Sequence, residues 1–121
     1  MKVLYDLDGI ICPDYKGSLL EVLTYRKNAS PAYVPSGRFS ILTGRPIEDT
    51  PDTLFWLVRN NIRFETLYHR NTDPSHPELY KLAVLQTLNE PYLFYESDPE
   101  QVAFLTQRGV NATLFKGSKN E

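Results

Sequence analysis

At 121 residues, with 41% hydrophobic and 12% aromatic content, the chain has the size and composition of one globular domain, with room for a single core and none for a separate substrate domain. A net charge of −2 leaves no basic footprint of the nucleic-acid-binding kind, and no apolar run nears the roughly 20 residues that span a bilayer. A single cysteine, Cys12, closes no internal disulfide, and with a core strand expected from Lys2 onward there is no leader, so a cytoplasmic protein without membrane contact is expected.

The stretch Val3–Gly9, Val-Leu-Tyr-Asp-Leu-Asp-Gly, predicts a buried strand whose tip meets a ligand, because a buried strand has no other use for two carboxylates. A period of two would put Asp6 and Asp8 on one side, and Gly9 would let the chain turn away beneath them. Converging carboxylates repel, and the remedies are a divalent cation or a shared proton; oxygen-only ligation favours a hard ion such as Mg2+. Ile10–Tyr15 is expected as a loop. Gly17–Lys27 suits a short helix packed by one face through Leu19, Leu20, Val22 and Leu23, and Asn28–Gly37, with Pro31 and Pro35, a loop placed to cover part of the mouth.

Arg38–Thr43 predicts a second strand that Gly44-Arg45-Pro46 stops abruptly. Thr50 is placed as N-cap with Pro51 at the first helical position, and Leu54, Leu57, Val58 and Ile62 as a buried stripe. Glu65–His69 is a third strand and Asn71–Pro74 a turn. Ser75-His-Pro-Glu78 matches a capping box, opening a helix that Leu79, Leu82, Leu85 and Leu88 carry to about Asn89. Tyr92–Tyr95 is a fourth strand. Asp98 caps a helix with Pro99 just inside and Gly109 as its stop; Ala112–Phe115 is a fifth strand and Lys116–Glu121 a polar tail.

Strands alternating with helices imply βαβ units, hence an α/β, three-layer Rossmann-like fold: a five-stranded parallel sheet with helices on both faces. In such sheets ligands bind beyond the carboxyl ends of the strands, where the strand order reverses, and Asp6, Thr43 and Glu96 each stand where a predicted strand ends. Singly, each signal has an ordinary explanation. A lone Asp-x-Asp is a solvated turn, Lys81 a solvated helix lysine, and Arg45 and Arg70 surface arginines. An EF-hand fails because Gly9 falls two positions early and no liganding glutamate follows. His69 and His76 lack metal-ligand spacing, Cys12 has no visible base partner and is read as packing, and Trp56 and the tyrosines are core or rim residues.

Jointly, Asp-Leu-Asp-Gly at Asp6–Gly9, Leu-Thr-Gly-Arg-Pro at Leu42–Pro46, Lys81 on its helix and Tyr-Glu-Ser-Asp at Tyr95–Asp98 resemble the four blocks of the haloacid dehalogenase superfamily, in that family's order. The run from Thr43-Gly-Arg through Thr53, Trp56, Leu67, Arg70 and Asp73 to Lys81 looks most like the phosphatase part of bacteriophage polynucleotide kinases. The resemblance implies a magnesium-dependent phosphomonoester hydrolase. Asp6 would be the nucleophile, Asp8 the general acid and base, Thr43 a hydrogen-bond donor to a phosphoryl oxygen, and Lys81 the neutralising cation. Mg2+ would sit on Asp6, the main-chain carbonyl of Asp8 and Glu96, with Asp98 adding a ligand through water; the order Glu-Ser-Asp leaves the choice of carboxylate open, and Glu96 is preferred because Asp98 has a capping role.

Gly44, Arg45 and Arg70 are the candidate substrate-binding residues. The short interval between the first two blocks leaves no room for a folded cap, so the expected partner is a phosphorylated substrate met by an open site: a nucleic-acid end or another large molecule, or a small metabolite. Two other readings compete. A receiver-type phosphoacceptor module would put an aspartate after the third strand, where this chain has Tyr68-His69-Arg70; an inert binding protein on the same fold would have lost Asp6, Asp8 or Lys81, and all three are present.

Overall fold

Each strand is separated from the next by a crossover long enough to return the chain to the same edge, which is the condition for parallel pairing. The computed structural model, which describes residues 1–15, 17–70 and 76–116, has that arrangement. Strands β1 (Lys2–Tyr5), β2 (Ser40–Pro46), β3 (Leu67–Arg70), β4 (Tyr92–Glu96) and β5 (Ala112–Leu114) form one sheet in the order β3-β2-β1-β4-β5, every pair parallel. The helices are α1 (Leu19–Asn28), α2 (Thr50–Arg59), α3 (Pro77–Gln86) and α4 (Pro99–Thr106). The α/β Rossmann-like class expected from the sequence is the one observed.

Alternation along the strands separates two cores. Leu4, Leu42, Phe94 and Ala112 face Leu85 of α3 and Leu105 of α4. Ile41 and, partly buried, Tyr5, Leu67 and Tyr95 face Trp56 and Leu57 of α2 together with Leu7, Ile10 and Ile11 of the turn after β1. Each fully buried Leu or Phe contributes about 2 kcal/mol, so the two clusters hold helices to both faces. Between them, β1 is where the order reverses: the chain leaves it for β2 and β3 on one side and returns to β4 and β5 on the other.

Several local expectations need correction. β2 does not stop at Thr43 but runs through Gly44 and Arg45 to Pro46, with an irregularity in its pairing to β3 between Leu42 and Pro46. Pro46 is accommodated because it stands at the strand's last position. Thr50 is the first residue of α2 rather than its cap; a 3-10 turn, Ile47–Asp49, leads into the helix, and the Thr50 hydroxyl donates to the Ile47 carbonyl. The buried side of α2 is Thr53, Trp56 and Leu57, while Leu54 and Val58 are exposed.

In α3 the buried residues are Lys81 and Leu85, one turn apart, and Leu79 is exposed. Leu82 and Leu88 pack against the same core as Leu85, so the predicted stripe fails only at Leu79, and Lys81 is buried beside it because its ammonium has carboxylate partners inside. His76 stands at the N-cap of α3; Ser75 and the turn expected at Asn71–Pro74 lie outside the described residues, as do Asp73 and the tail from residue 117. Asp98 caps α4 as expected, accepting from the Glu100 amide at 3.0 Å.

The largest departure is α1, which buries no residue: Leu19 and Leu20 are each 75% exposed. Its ends are secured instead. Ser18 and Glu21 form a reciprocal capping box, the Glu21 amide donating to Ser18 Oγ at 3.3 Å and the Ser18 amide to Glu21 Oε1 at 2.9 Å. At the other end the Trp56 indole donates to the Ala29 carbonyl at 2.8 Å, and Arg59 of α2 donates to the Lys27 carbonyl.

Candidate active site

The register of β1 on β4 determines what meets at the rim. Tyr5 pairs with Tyr95, and the Asp6 amide donates to the Tyr95 carbonyl at 2.9 Å, so Asp6 and Glu96 leave adjacent strands side by side. Period two places them on the face of Leu4 and Phe94, the face that α3 covers. Gly44 permits α3 to come close: a Cβ there would lie 2.8 Å from Pro77 Cβ. Lys81, only 2% exposed, therefore reaches the rim, its Nζ lying 2.7 Å from Glu96 Oε1, 2.8 Å from Gln101 Oε1 and 3.5 Å from Asp6 Oδ1.

Asp8 does not share that environment. The strand ends at Tyr5, and the chain then folds around the Leu7 carbonyl, which accepts from the amides of Ile11 at 3.0 Å and Cys12 at 2.9 Å. A period of two no longer applies, and the two carboxylates take different cations. Arg45 forks onto Asp8, Nη2 at 2.7 Å from Oδ1 and Nε at 3.0 Å from Oδ2, while Nη1 donates to Thr53 Oγ1 at 3.0 Å. Arg26, from the exposed α1, adds a contact of 3.4 Å to Asp8 Oδ2.

The electrostatics follow from this segregation. Burial pushes the Asp6 carboxyl well above the usual carboxylate range; Lys81 opposes the shift, and Glu96 and, more weakly, Asp8 reinforce it. Burial would lower the Lys81 ammonium, but Asp6 and Glu96 outweigh it and leave it raised. Arg45 is likewise raised, desolvation being overcome by Asp8. Burial, with Asp8 adding, pushes the Cys12 thiol up to about 11, which keeps it protonated near neutrality and consistent with packing.

These groups open onto a cleft of about 320 Å³ lined by Asp6, Asp8, Arg26, Arg45, Arg70 and Lys81 among others. It lies beyond the carboxyl ends of β1 and β4, at the reversal of strand order, where α/β sheets bind their ligands. Of the residues singled out from sequence, Asp6, Asp8, Gly44, Arg45, Arg70, Lys81, Glu96 and Asp98 all line it. Thr43 does not: it is fully buried, and its hydroxyl accepts from the Arg45 amide at 3.1 Å. Arg45 and Arg70 are each 6% exposed and so are not surface arginines. The border that the Asn28–Gly37 loop was expected to supply comes from Arg26 and Asp14.

Three site residues escaped the sequence reading. Arg26 and Gln101 carry ordinary helix-surface signals. Ser97 lies inside the Tyr-Glu-Ser-Asp block; its hydroxyl is 3.0 Å from the Asp8 carbonyl and 3.4 Å from Asp6 Oδ2. Gly9, at φ +90°, seats it: a Cβ there would lie 2.5 Å from Ser97 Oγ.

The carboxylates expected to complete a cation site are engaged with the protein. Glu96 Oε1 faces Lys81, and Oε2 accepts from the amides of Ser97 at 3.0 Å and Asp98 at 3.1 Å. Asp98 is occupied as the α4 cap. Among the described residues no three His, Cys, Asp or Glu side chains are grouped to hold a metal. An Asp6 carboxylate oxygen and the Asp8 carbonyl both lie near Ser97 Oγ, at 3.4 and 3.0 Å, and oxygens of this kind fit a hard ion such as Mg2+ that keeps most of its water. Among the described residues no helix is long and apolar enough to cross a membrane. No family model, curated protein or solved structure matches the chain.

Proposed function

We propose that the protein is a magnesium-dependent phosphomonoester hydrolase of the haloacid dehalogenase type, with Asp6 as nucleophile. The observation that carries this reading is the setting of Asp6. It stands at the rim of the central strand, with Oδ1 accepting from the Leu7 amide at 2.8 Å and lying 3.5 Å from Lys81, beside a cleft that also presents Arg26, Arg45 and Arg70. An anion entering that cleft meets basic groups on several sides and a carboxylate at its floor.

In the first step Asp6 attacks phosphorus, the bond from phosphorus to the ester oxygen breaks, and an aspartyl phosphate forms. In the second a water attacks that phosphorus, Asp6 is released, and the proton of the water passes to Asp8. The contacts from Arg45 and Arg26 orient Asp8 as an acceptor, which suits this step; the proton gained then serves the leaving oxygen of the next substrate. Lys81 offsets charge gathering on Asp6 and the phosphoryl oxygens. Mg2+, held by Asp6 and the Asp8 carbonyl, would supply Lewis-acid stabilisation of the phosphoryl oxygens when bound.

Among the described residues no folded cap covers the cleft, which suits a phosphate displayed at the end of a large molecule, a nucleic-acid 3′ end for example, or a small phosphorylated metabolite. The test is hydrolysis of a generic aryl phosphate with Mg2+. The parent protein turns over, and Asp6→Asn loses at least about a thousandfold in rate. Equal turnover by the variant refutes the nucleophile assignment.

A further inference from the structure

We propose that the Ser97 hydroxyl, and not the carboxylate of Glu96 or Asp98, is the third protein ligand of the divalent-cation site, beside Asp6 Oδ2 and the Asp8 carbonyl. The proposal deepens the phosphatase reading and rests on it for the identity of the ion. Its basis is the placing of three oxygens. Ser97 Oγ lies 3.0 Å from the Asp8 carbonyl and 3.4 Å from Asp6 Oδ2, spacings close to those between neighbouring oxygens around one Mg2+ ion.

Charge points the same way. Asp8 is matched by Arg45 and Arg26, whereas Asp6 and Glu96 are two buried carboxylates in contact with the single ammonium of Lys81. Glu96 has both oxygens engaged, so Asp6 is the one of the pair with an oxygen turned toward the Ser97 hydroxyl. Gly9 keeps the space for Ser97 open, since any Cβ there would displace the hydroxyl.

A neutral third ligand has a definite consequence. With one anionic protein ligand the site binds Mg2+ weakly by itself, and the substrate phosphate completes the shell; affinity for hard cations rises with the charge of the ligand set. The ion and the substrate therefore load together.

The experiment titrates Mg2+ into the metal-free full chain and its Ser97→Asp and Ser97→Ala variants by calorimetry, with thermal midpoints recorded with and without the ion. Ser97→Asp is expected to bind at least about tenfold more tightly than the parent and Ser97→Ala severalfold more weakly. Without the ion Ser97→Asp melts below the parent, and added Mg2+ raises its midpoint by more than it raises the parent's. Equal affinity in all three proteins, or a Ser97→Asp midpoint that responds to Mg2+ no more than the parent's, overturns the assignment. If Ser97→Asp does not fold, the affinity of Ser97→Ala decides: reduced supports the assignment, unchanged overturns it. Hydrolysis is scored separately; tighter binding by Ser97→Asp in a protein whose parent form hydrolyses no phosphomonoester keeps the cation site and removes the phosphatase reading.

Discussion

Replacing Asp6 by asparagine should stabilise the folded protein while removing the proposed hydrolase activity, and the size of the gain should depend on pH. In the native protein Asp6 is buried beside Glu96, with Lys81 closer to Glu96, at 2.7 Å, than to Asp6, at 3.5 Å. The amide keeps an oxygen for the Leu7 amide and removes the repulsion between the two acids; Lys81 keeps Glu96 and Gln101. The loss of the longer ion contact is therefore the smaller effect.

The sign of the pH dependence follows from the raised carboxyl. Such a group takes up a proton on folding between its unfolded value near 4 and its higher folded value, so parent stability falls as pH rises through that window, by at most about 1.4 kcal/mol per pH unit. Below about pH 4 both states are protonated and the contribution vanishes. Asparagine has no such slope, so at pH 8 the variant should be the more stable of the two, with the gap narrowing toward pH 4. Urea unfolding from pH 4 to pH 8 in buffer containing a chelator measures this directly. Parallel curves for the two proteins, or a variant less stable than the parent at pH 8, would refute the electrostatic account of the rim.

Arg45→Ala removes the fork on Asp8 and the donor to buried Thr53, and should cost about 3 kcal/mol in urea unfolding. Gly9→Ala forces a side chain into φ +90° with its Cβ 2.5 Å from Ser97 Oγ; a loss of about 2 kcal/mol is expected in the same assay, together with weaker Mg2+ binding. Ser18→Ala breaks the capping box of α1 at about 1 kcal/mol of local stability, visible as faster amide exchange in α1, with the global melt nearly unchanged because α1 buries nothing.

What the sequence disclosed was governed by local rules: where strands and helices alternate, that Pro99 follows its cap, that Asp6 and Glu96 stand where parallel strands end. What it concealed depends on partners distant along the chain. Arg45 has the signature of a surface residue until Asp8, 37 positions away, turns toward it. Lys81 interrupts an apolar stripe and yet is as buried as Leu85, because two acids wait on the sheet. Leu19 and Leu20 have helical spacing and no surface to pack on. Ser97 was passed over since a hydroxyl between two carboxylates has no separate signal in sequence; only the positions of the Asp8 carbonyl and Asp6 Oδ2 give it meaning.

The tethering of α1 by its ends has an evolutionary corollary. Extra chain just ahead of α1 would interrupt no residue of either core cluster, and lengthening such a connection costs only about 0.6 kcal/mol per doubling. An insertion beside Gly17 could grow into a roof over the cleft and narrow the range of molecules admitted, while the sheet beneath kept the same chemistry.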